Sequence, residues 1–147
     1  MANLIEMLKN PKRCGVFRFS GDAGMIEDRA AAAGLAVHKL DIGAIPGKNG
    51  LLDAFADTLK FPAYFGANWD ALDECLSDLE WLDAPGWFLI IAGGGAFAAK
   101  NRRTLATAIE VLQSAVEYWR EEGKPFWVVI LDVATTEFAE LPQFPDA

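Results

Sequence analysis

The chain has 147 residues, of which 52% are hydrophobic and 12% aromatic, and this composition excludes intrinsic disorder and predicts one folded domain. Its formal net charge of −8 argues against direct binding to nucleic acid, since phosphate contacts need Lys and Arg, and favours a basic partner. Cys14 and Cys75 predict reduced, buried thiols. Without a secretory signal or a membrane-length apolar run, the chain is predicted to be cytoplasmic.

Strands and helices alternate along the predicted chain. The predicted strands are short apolar or alternating segments at residues 15–20, 35–42, 87–91 and 126–131. The predicted helices are residues 4–8, 23–33, 51–59, an acidic helix from about Asn68 or Trp69, and a long helix from 96 or 100 to about 122. Helical crossovers between strands predict an α/β fold with a mostly parallel sheet flanked by helices. The tail from Asp132 onwards is expected to pack loosely along the surface.

The stretch from Phe61 to Ala84 carries six acidic residues and no Lys or Arg. Asn68 is the predicted N-cap of a helix, because its side chain can accept a hydrogen bond from a free amide of the first turn. Apolar residues then recur at helical spacing and predict a buried stripe. The stripe consists of Leu72, Cys75, Leu76 and Leu79.

The opposite face of this predicted helix is a ridge of acidic and polar side chains. Its members are Asp70, Asp73, Glu74, Ser77 and Asp78. Like charges three or four residues apart destabilise a helix by about 0.2–0.5 kcal/mol per pair, so local stability does not explain the ridge. Charge alone leaves two interpretations open, a partner-binding surface or the solvated face of an acidic protein. Trp69 lies outside the apolar stripe, which favours a place beside Tyr64 at an interaction surface.

Catalytic alternatives find less support. Asp70 and Glu74 on one helix face are a candidate acid–base pair or hard-cation site, but nothing nearby supplies a nucleophile or an oxyanion donor. His38 is the single histidine and lies in a predicted strand, which favours a structural role. Two distant cysteines give no zinc spacing. We therefore expect a binding protein and no enzyme, metal or cofactor.

The three glycines Gly93–Gly95 stand between a predicted strand and a predicted helix. They invite a phosphate-loop interpretation, but the chain lacks both GxxxxGK[S/T] and GxGxxG at this point. Lys100, Arg102 and Arg103 follow in the helix and leave a weak anion site conceivable. A strand-to-helix turn is the favoured interpretation.

A specific pattern runs through the acidic stretch, namely Pro62-x-Tyr64-Phe65-Gly66-x-Asn68-x-Asp70-Ala71-Leu72-x-x-Cys75-Leu76. It resembles the signature of the barstar family, whose prototype is the intracellular inhibitor of the extracellular ribonuclease barnase. A weaker pattern match extends from about Leu35 to Asp132. The resemblance implies a small parallel sheet with helices packed around it. Residues 1–34 would then be an N-terminal extension that adds a strand and a helix.

The resemblance also implies that the acidic helix and the loop before it block the active site of a ribonuclease. By position, Tyr64 matches a contact aromatic residue and Asp70 matches the first inhibitory aspartate. Glu74 takes the place of the central aspartate and is one methylene longer. Asp73 stands where the prototype has a tryptophan.

Two further positions depart from the prototype or leave the alignment open. Asp78 and Leu79 stand where the prototype has Gly-Trp. A family glutamate on the last helix falls on Glu117 or on Tyr118, depending on the placement of one gap.

These observations predict a monomeric inhibitor of a basic ribonuclease, acting in the cytoplasm without a cofactor. The alternative is an interaction module of the same fold with a basic partner that is not a nuclease. The predicted partner-binding residues are Tyr64, Trp69, Asp70, Asp73, Glu74 and Asp78.

Overall fold

The computed structural model describes residues 3–63, 65–133, 138 and 140–145. The helices are α1 (Leu4–Leu8), α2 (Ala23–Ala32), α3 (Lys48–Thr58), α4 (Trp69–Leu76) and α5 (Gly94–Glu121). The strands are β1 (Val16–Phe19), β2 (Ala36–Asp41), β3 (Trp87–Ala92) and β4 (Phe126–Leu131). Two short 3-10 turns cover Pro11–Arg13 and Glu80–Leu82. In the part of the chain that the structure describes, no helix is both long enough and apolar enough to cross a membrane.

The four strands form one parallel sheet in the order β1-β4-β3-β2. One row across the sheet pairs Val16 with Val128, Val128 with Leu89, and Leu89 with His38. Each connection crosses through at least one helix, as parallel pairing requires. The predicted α/β class, the parallel sheet and its flanking helices are confirmed.

The two central strands, β3 and β4, are covered on both faces. Trp87 packs against Trp119 of α5 with ring centroids 4.6 Å apart, whereas its neighbour Phe88 contacts Phe144 of the tail at 5.9 Å. Successive strand residues point to opposite faces, so α5 and the tail cover different sides of the sheet. On the tail side, Trp127 donates its indole N–H to Leu8 O at the end of α1. Burial on both faces explains the continuous apolar sequences of these strands.

The expectation of a loosely packed tail was wrong. Phe138, Leu141 and Phe144 are all buried. The amide of Arg18 donates to Pro142 O at 2.9 Å, and the amide of Phe144 donates to Arg18 O at 2.7 Å. The tail is held because β1 is an edge strand whose outward backbone groups need partners, and because Phe144 enters an aromatic cluster. The cluster partners of Phe144 are Phe17, Phe19, Phe88 and Trp127.

Helix α5 contains a break. Asn101 has non-helical dihedral angles (φ −137°, ψ 45°), so a first segment from Gly94 joins the long second segment at a kink. The sequence pattern predicts that this helix starts at residue 96 or 100. The kink explains the two possible starts, because the buried stripe of the long segment begins after Asn101, at Leu105.

Candidate partner-binding site

Helix α4 begins where the sequence predicts, at Asn68. The Asn68 side chain accepts a hydrogen bond from the Ala71 amide at 2.7 Å, which satisfies one of the free donors of the first turn. Leu72, Cys75 and Leu76 are buried, as the apolar stripe predicts. The stripe fixes which face of the helix is turned outwards.

A second set of contacts holds the carboxyl end of α4. Trp119 of α5 donates its indole N–H to Leu76 O at 2.7 Å and so satisfies a carbonyl that the helix leaves without a partner. Trp81, just beyond α4, donates its indole N–H to Leu59 O at 2.9 Å. The sequence gives no sign of the carbonyls that these tryptophans bind, because the paired residues lie 43 and 22 positions apart.

The outward face of α4 presents Asp70, Asp73 and Glu74, which we call the acidic surface. Asp70 and Glu74 are exposed, and Asp73 is half-buried. Oδ1 of Asp73 is buried and has no hydrogen-bond partner among the described residues. None of the three carboxylates forms an ion pair with a Lys or Arg in the described ranges. The surface therefore holds negative charge that the chain itself leaves uncompensated.

Asp78 does not share the helical face on which sequence spacing placed it. Helix α4 ends at Leu76 with Ser77 as its C-cap, and Asp78 lies in the turn that follows. Leu79 then adopts a left-handed conformation (φ 48°), which turns the chain and buries its side chain. Ser and Asp compete for backbone hydrogen bonds and favour such turns, so the ridge breaks after Glu74.

Of the two aromatic residues predicted for this surface, the structure describes Trp69. Trp69 is the first residue of α4 and is half-buried against the core, with the Lys48 ammonium 5.8 Å from its ring centroid. Part of its surface is thus available to a partner and part is used internally. Tyr64 lies outside the described residues.

Glu117 and Tyr118, the two candidates for the family glutamate position, have different surroundings. Glu117 pairs with Arg120 and lines a cavity beside β1, away from α4. Tyr118 packs edge-on against Trp119, the residue that holds the end of α4, and is 42% exposed. Of the two residues, Tyr118 is therefore the one in contact with the tryptophan that binds the end of α4.

Three titratable groups outside the acidic surface have shifted pKa values. Burial lowers the pKa of His38, and the Lys60 charge lowers it further, while His38 Nε2 has no partner among the described residues. Burial raises the pKa of the Cys75 thiol, helped by the charges of Asp78 and Glu74. Burial also raises the pKa of the Cys14 thiol. These shifts keep the imidazole neutral and the thiols protonated, which suits packing. Among the described residues, no cluster of His, Cys, Asp or Glu has the geometry of a metal site.

The glycines Gly93–Gly95 serve close packing. Gly93 has φ +78°, and a Cβ there would lie 2.5 Å from Gly43 N. A Cβ on Gly94 would lie 2.6 Å from Val133 Cγ2. A Cβ on Gly95 would collide with Asp132 O. Only glycine fits at these three positions, which accounts for the triplet without a phosphate ligand.

The fold and the acidic surface define a parallel α/β protein that displays a fixed acidic helix. The family model described as Barstar (barnase inhibitor) matches residues 35–131. The chain therefore belongs to the barstar family. Helix α4 and the family signature both lie inside the matched region, while α1, β1, α2 and the tail lie outside it.

A solved structure of the ORC2 protein of Aeropyrum pernix, in ADPNP-ADP complexes, is similar in fold, with a TM-score of 0.57 at 14% sequence identity. The similarity covers 86% of this chain and 37% of that one, so this chain spans little more than a third of the ORC2 protein's length. At this identity the likeness concerns the fold alone. Because it covers more of the chain than residues 35–131, it includes part of the segments outside the family match. No curated protein sequence matches this chain.

Proposed function

We propose that this protein inhibits a basic ribonuclease by placing the acidic surface of α4 against the nuclease's active site. It acts by binding and without catalysis, as a monomer, in the cytoplasm of the cell that makes the nuclease. The observation that carries the proposal is the acidic surface itself. Three uncompensated carboxylates stand on a helix whose buried face and both ends are fixed, within the region that the barstar family model matches.

The chemistry of the proposal is substitution of carboxylates for phosphates. A ribonuclease binds the phosphates of RNA with cationic side chains, and Arg–carboxylate pairs are charge-assisted and often bidentate. Asp70 and Glu74 are one helical turn apart and exposed, so they can meet two cationic groups of one active site. Opposite charges on the two proteins also raise their association rate. Because α4 is already ordered, little conformational freedom is lost on binding.

Asp73 gives the surface its own specificity. It adds a third carboxylate where the family prototype has a tryptophan, and its Oδ1 is buried without a partner. Tyr64, Trp69 and Asp78 are proposed to surround this centre.

Under this proposal, the protein does not bind nucleotides of the kind present in the ORC2 structure. The turn between β1 and α2 carries Asp22, whose carboxylate already accepts hydrogen bonds from the amides of Gly24 and Met25. A phosphate would have to displace that carboxylate. The Gly93–Gly95 turn is likewise filled by its packing neighbours.

A capture experiment tests the proposal. The immobilised protein is exposed to secreted and cytosolic proteins of its source cell, beside two variants that each lose three negative charges. The site variant is Asp70→Ala/Asp73→Ala/Glu74→Ala. The control variant is Asp53→Ala/Asp57→Ala/Glu110→Ala, in which all three altered residues are exposed on α3 or α5. Because both variants lose three negative charges, a difference in capture between them does not come from net charge alone.

We expect the native protein and the control variant to capture one ribonuclease and the site variant to lose it. Equal capture by all three proteins would show that the acidic surface takes no part in binding. Capture of a basic protein that is not a nuclease, lost only with the site variant, would keep the surface and replace the inhibitor function with that of another interaction module.

A further inference from the structure

The outer edge of β1 offers hydrogen-bonding groups that point away from the sheet. The Val128 amide donates to Gly15 O, so the groups of Gly15 and Phe17 point towards β4. In a parallel ladder the intervening residues turn theirs to the other side, which is the open edge for Val16 and Arg18. Edge strands with free groups are the usual sites at which another extended chain pairs.

The tail covers half of this edge. Arg18 makes both of its outward backbone hydrogen bonds with the tail, in a parallel bridge opposite Gln143: its amide donates to Pro142 O, and its carbonyl accepts from the Phe144 amide. Val16, two residues earlier, has no such bonds with the described residues, although its side chain is buried. The tail thus adds a short fifth strand beside Arg18, and this strand does not extend to Val16.

A cavity of about 360 Å³ lies at this uncovered position, between β1, α5 and the tail. Its walls are mainly apolar. They include Val16, Phe17, Val116 and Pro142. Its polar lining includes Gln113 and the Arg120–Glu117 ion pair. We call this space the edge groove.

The Arg120 guanidinium forms part of the polar wall of the groove and is held by the chain itself. Its Nη2 donates to Cys14 O at 2.7 Å, and its Nη1 pairs with Glu117. The backbone groups of Cys14 are therefore already bonded, since its amide also donates to Pro11 O. This leaves Val16 as the position of the edge whose outward groups have no partner among the described residues.

We propose that the edge groove binds an extended peptide segment of another protein, which pairs with Val16 of β1 and continues the strand begun by the tail. The Val16 amide donates to a peptide carbonyl, and Val16 O accepts from a peptide amide. The apolar walls select small apolar side chains on the segment. This is strand addition at a sheet edge, in which main-chain bonds supply affinity and side-chain pockets supply specificity.

Charge and shape identify the occupant. The Arg120 charge is already matched by Glu117, and the chain carries a net charge of −8, so an uncharged or basic segment is favoured over an acidic one. A second copy of this chain does not fit, because its own β1 edge is flanked by its own α5 and tail. The β1 and tail walls of the groove lie outside residues 35–131, and on α5 the lining residues Glu117 and Arg120 face β1 while Trp119 reaches α4. The proposal therefore stands independently of nuclease inhibition.

Peptide selection followed by nuclear magnetic resonance tests the proposal. A displayed library of random peptides of about seven residues is selected on the full protein, with excess soluble Gln113→Trp protein present as a competitor. Gln113 is exposed and lines the groove, so tryptophan there fills it. Ser114→Trp is the matched control, because Ser114 is exposed on the same helix and does not line the groove.

We expect an enriched, synthesised peptide to bind Gln113→Trp at least about tenfold more weakly than the native protein, and to bind Ser114→Trp and Asp70→Ala without change. The Val16 amide resonance should shift, and hydrogen exchange at Val16 should slow. A version of the peptide N-methylated at the paired amide should lose about tenfold in affinity, a result that does not depend on how Gln113→Trp folds.

Three results would overturn the proposal. The first is a selection that yields no peptide able to distinguish the native protein from Gln113→Trp. The second is a peptide that binds without moving the Val16 resonance. The third is concentration-dependent dimerisation of the native protein that Gln113→Trp abolishes, since a second copy would then occupy the edge.

Discussion

Asp73 is the residue at which stability and binding are expected to conflict. Its Oδ1 is buried without a partner, so removing the carboxylate relieves a desolvation cost. We predict that Asp73→Ala raises the free energy of unfolding by about 1 kcal/mol more than Asp53→Ala does. Asp53 lies exposed within α3 and controls for the helix propensity of alanine.

Urea denaturation of the two variants measures the difference, and the same proteins can be assayed for binding to the captured ribonuclease. A loss of stability in Asp73→Ala, relative to Asp53→Ala, would mean that the carboxylate is structural and would remove it from the proposed site.

His38 gives a pH-dependent prediction at the same scale. Its folded-state pKa lies below the usual value of 6.5, so the unfolded chain binds more protons between those two values. The contribution of neutral His38 is present above about pH 6.5 and is lost as the pH falls through that range. A single group changes the free energy of unfolding by at most about 1.4 kcal/mol per pH unit.

We expect native protein to lose more stability between pH 7.5 and pH 5.5 than His38→Gln, whose side chain does not titrate. Urea denaturation at both pH values checks this, and carboxylate titrations common to both proteins cancel. Equal losses in the two proteins would show that His38 is not held neutral by its surroundings.

Helix α4 is the element on which the proposed function depends, and its start is fixed by one side chain. Asn68→Ala removes the bond to the Ala71 amide and is expected to lower the free energy of unfolding by about 1 kcal/mol. Asn68→Ser retains a capping oxygen and should lose less. Thermal denaturation monitored by circular dichroism distinguishes the two, and equal stability of all three proteins would exclude a capping role for Asn68.

The other end of α4 shows where sequence reasoning stops. The N-cap and the apolar stripe are local patterns, so both could be read from residues within one or two turns of one another. The end at Leu76 depends on a left-handed Leu79 and on an indole that arrives from Trp119. Neither has a local sequence signal, and for this reason Asp78 was placed on the helix.

At the scale of the whole molecule, the tail completes the core that the family region leaves open. Phe144 contacts aromatic rings from β1, β3 and β4. We predict that Phe144→Ala lowers the free energy of unfolding by about 3–5 kcal/mol, as for other buried phenylalanines, while Pro145→Ala changes little because Pro145 is exposed. Urea denaturation gives both values. If Phe144→Ala changed the free energy of unfolding as little as Pro145→Ala does, the tail would be loosely packed, as the sequence predicts.

The sheet could be predicted from sequence because buried strands are continuous apolar runs and their helical crossovers impose parallel pairing. The strand order and the tail could not. Phe144 and Arg18 come together across more than a hundred residues, and the polar and proline-rich surroundings of Phe144 resemble a surface loop. The edge groove was missed for the same reason, since Val16 and Arg120 have no pattern in common.

The measurement that most directly tests the central claim is an inhibition titration of the captured ribonuclease cleaving RNA. Native protein and the Asp53/Asp57/Glu110 control variant should both abolish cleavage near one equivalent. The Asp70/Asp73/Glu74 variant should bind about ten-thousandfold more weakly and leave cleavage almost intact near one equivalent, because three lost charge pairs at about 2 kcal/mol each amount to about 6 kcal/mol. Full inhibition by the site variant at one equivalent would contradict the account and place the inhibitory surface elsewhere on the molecule.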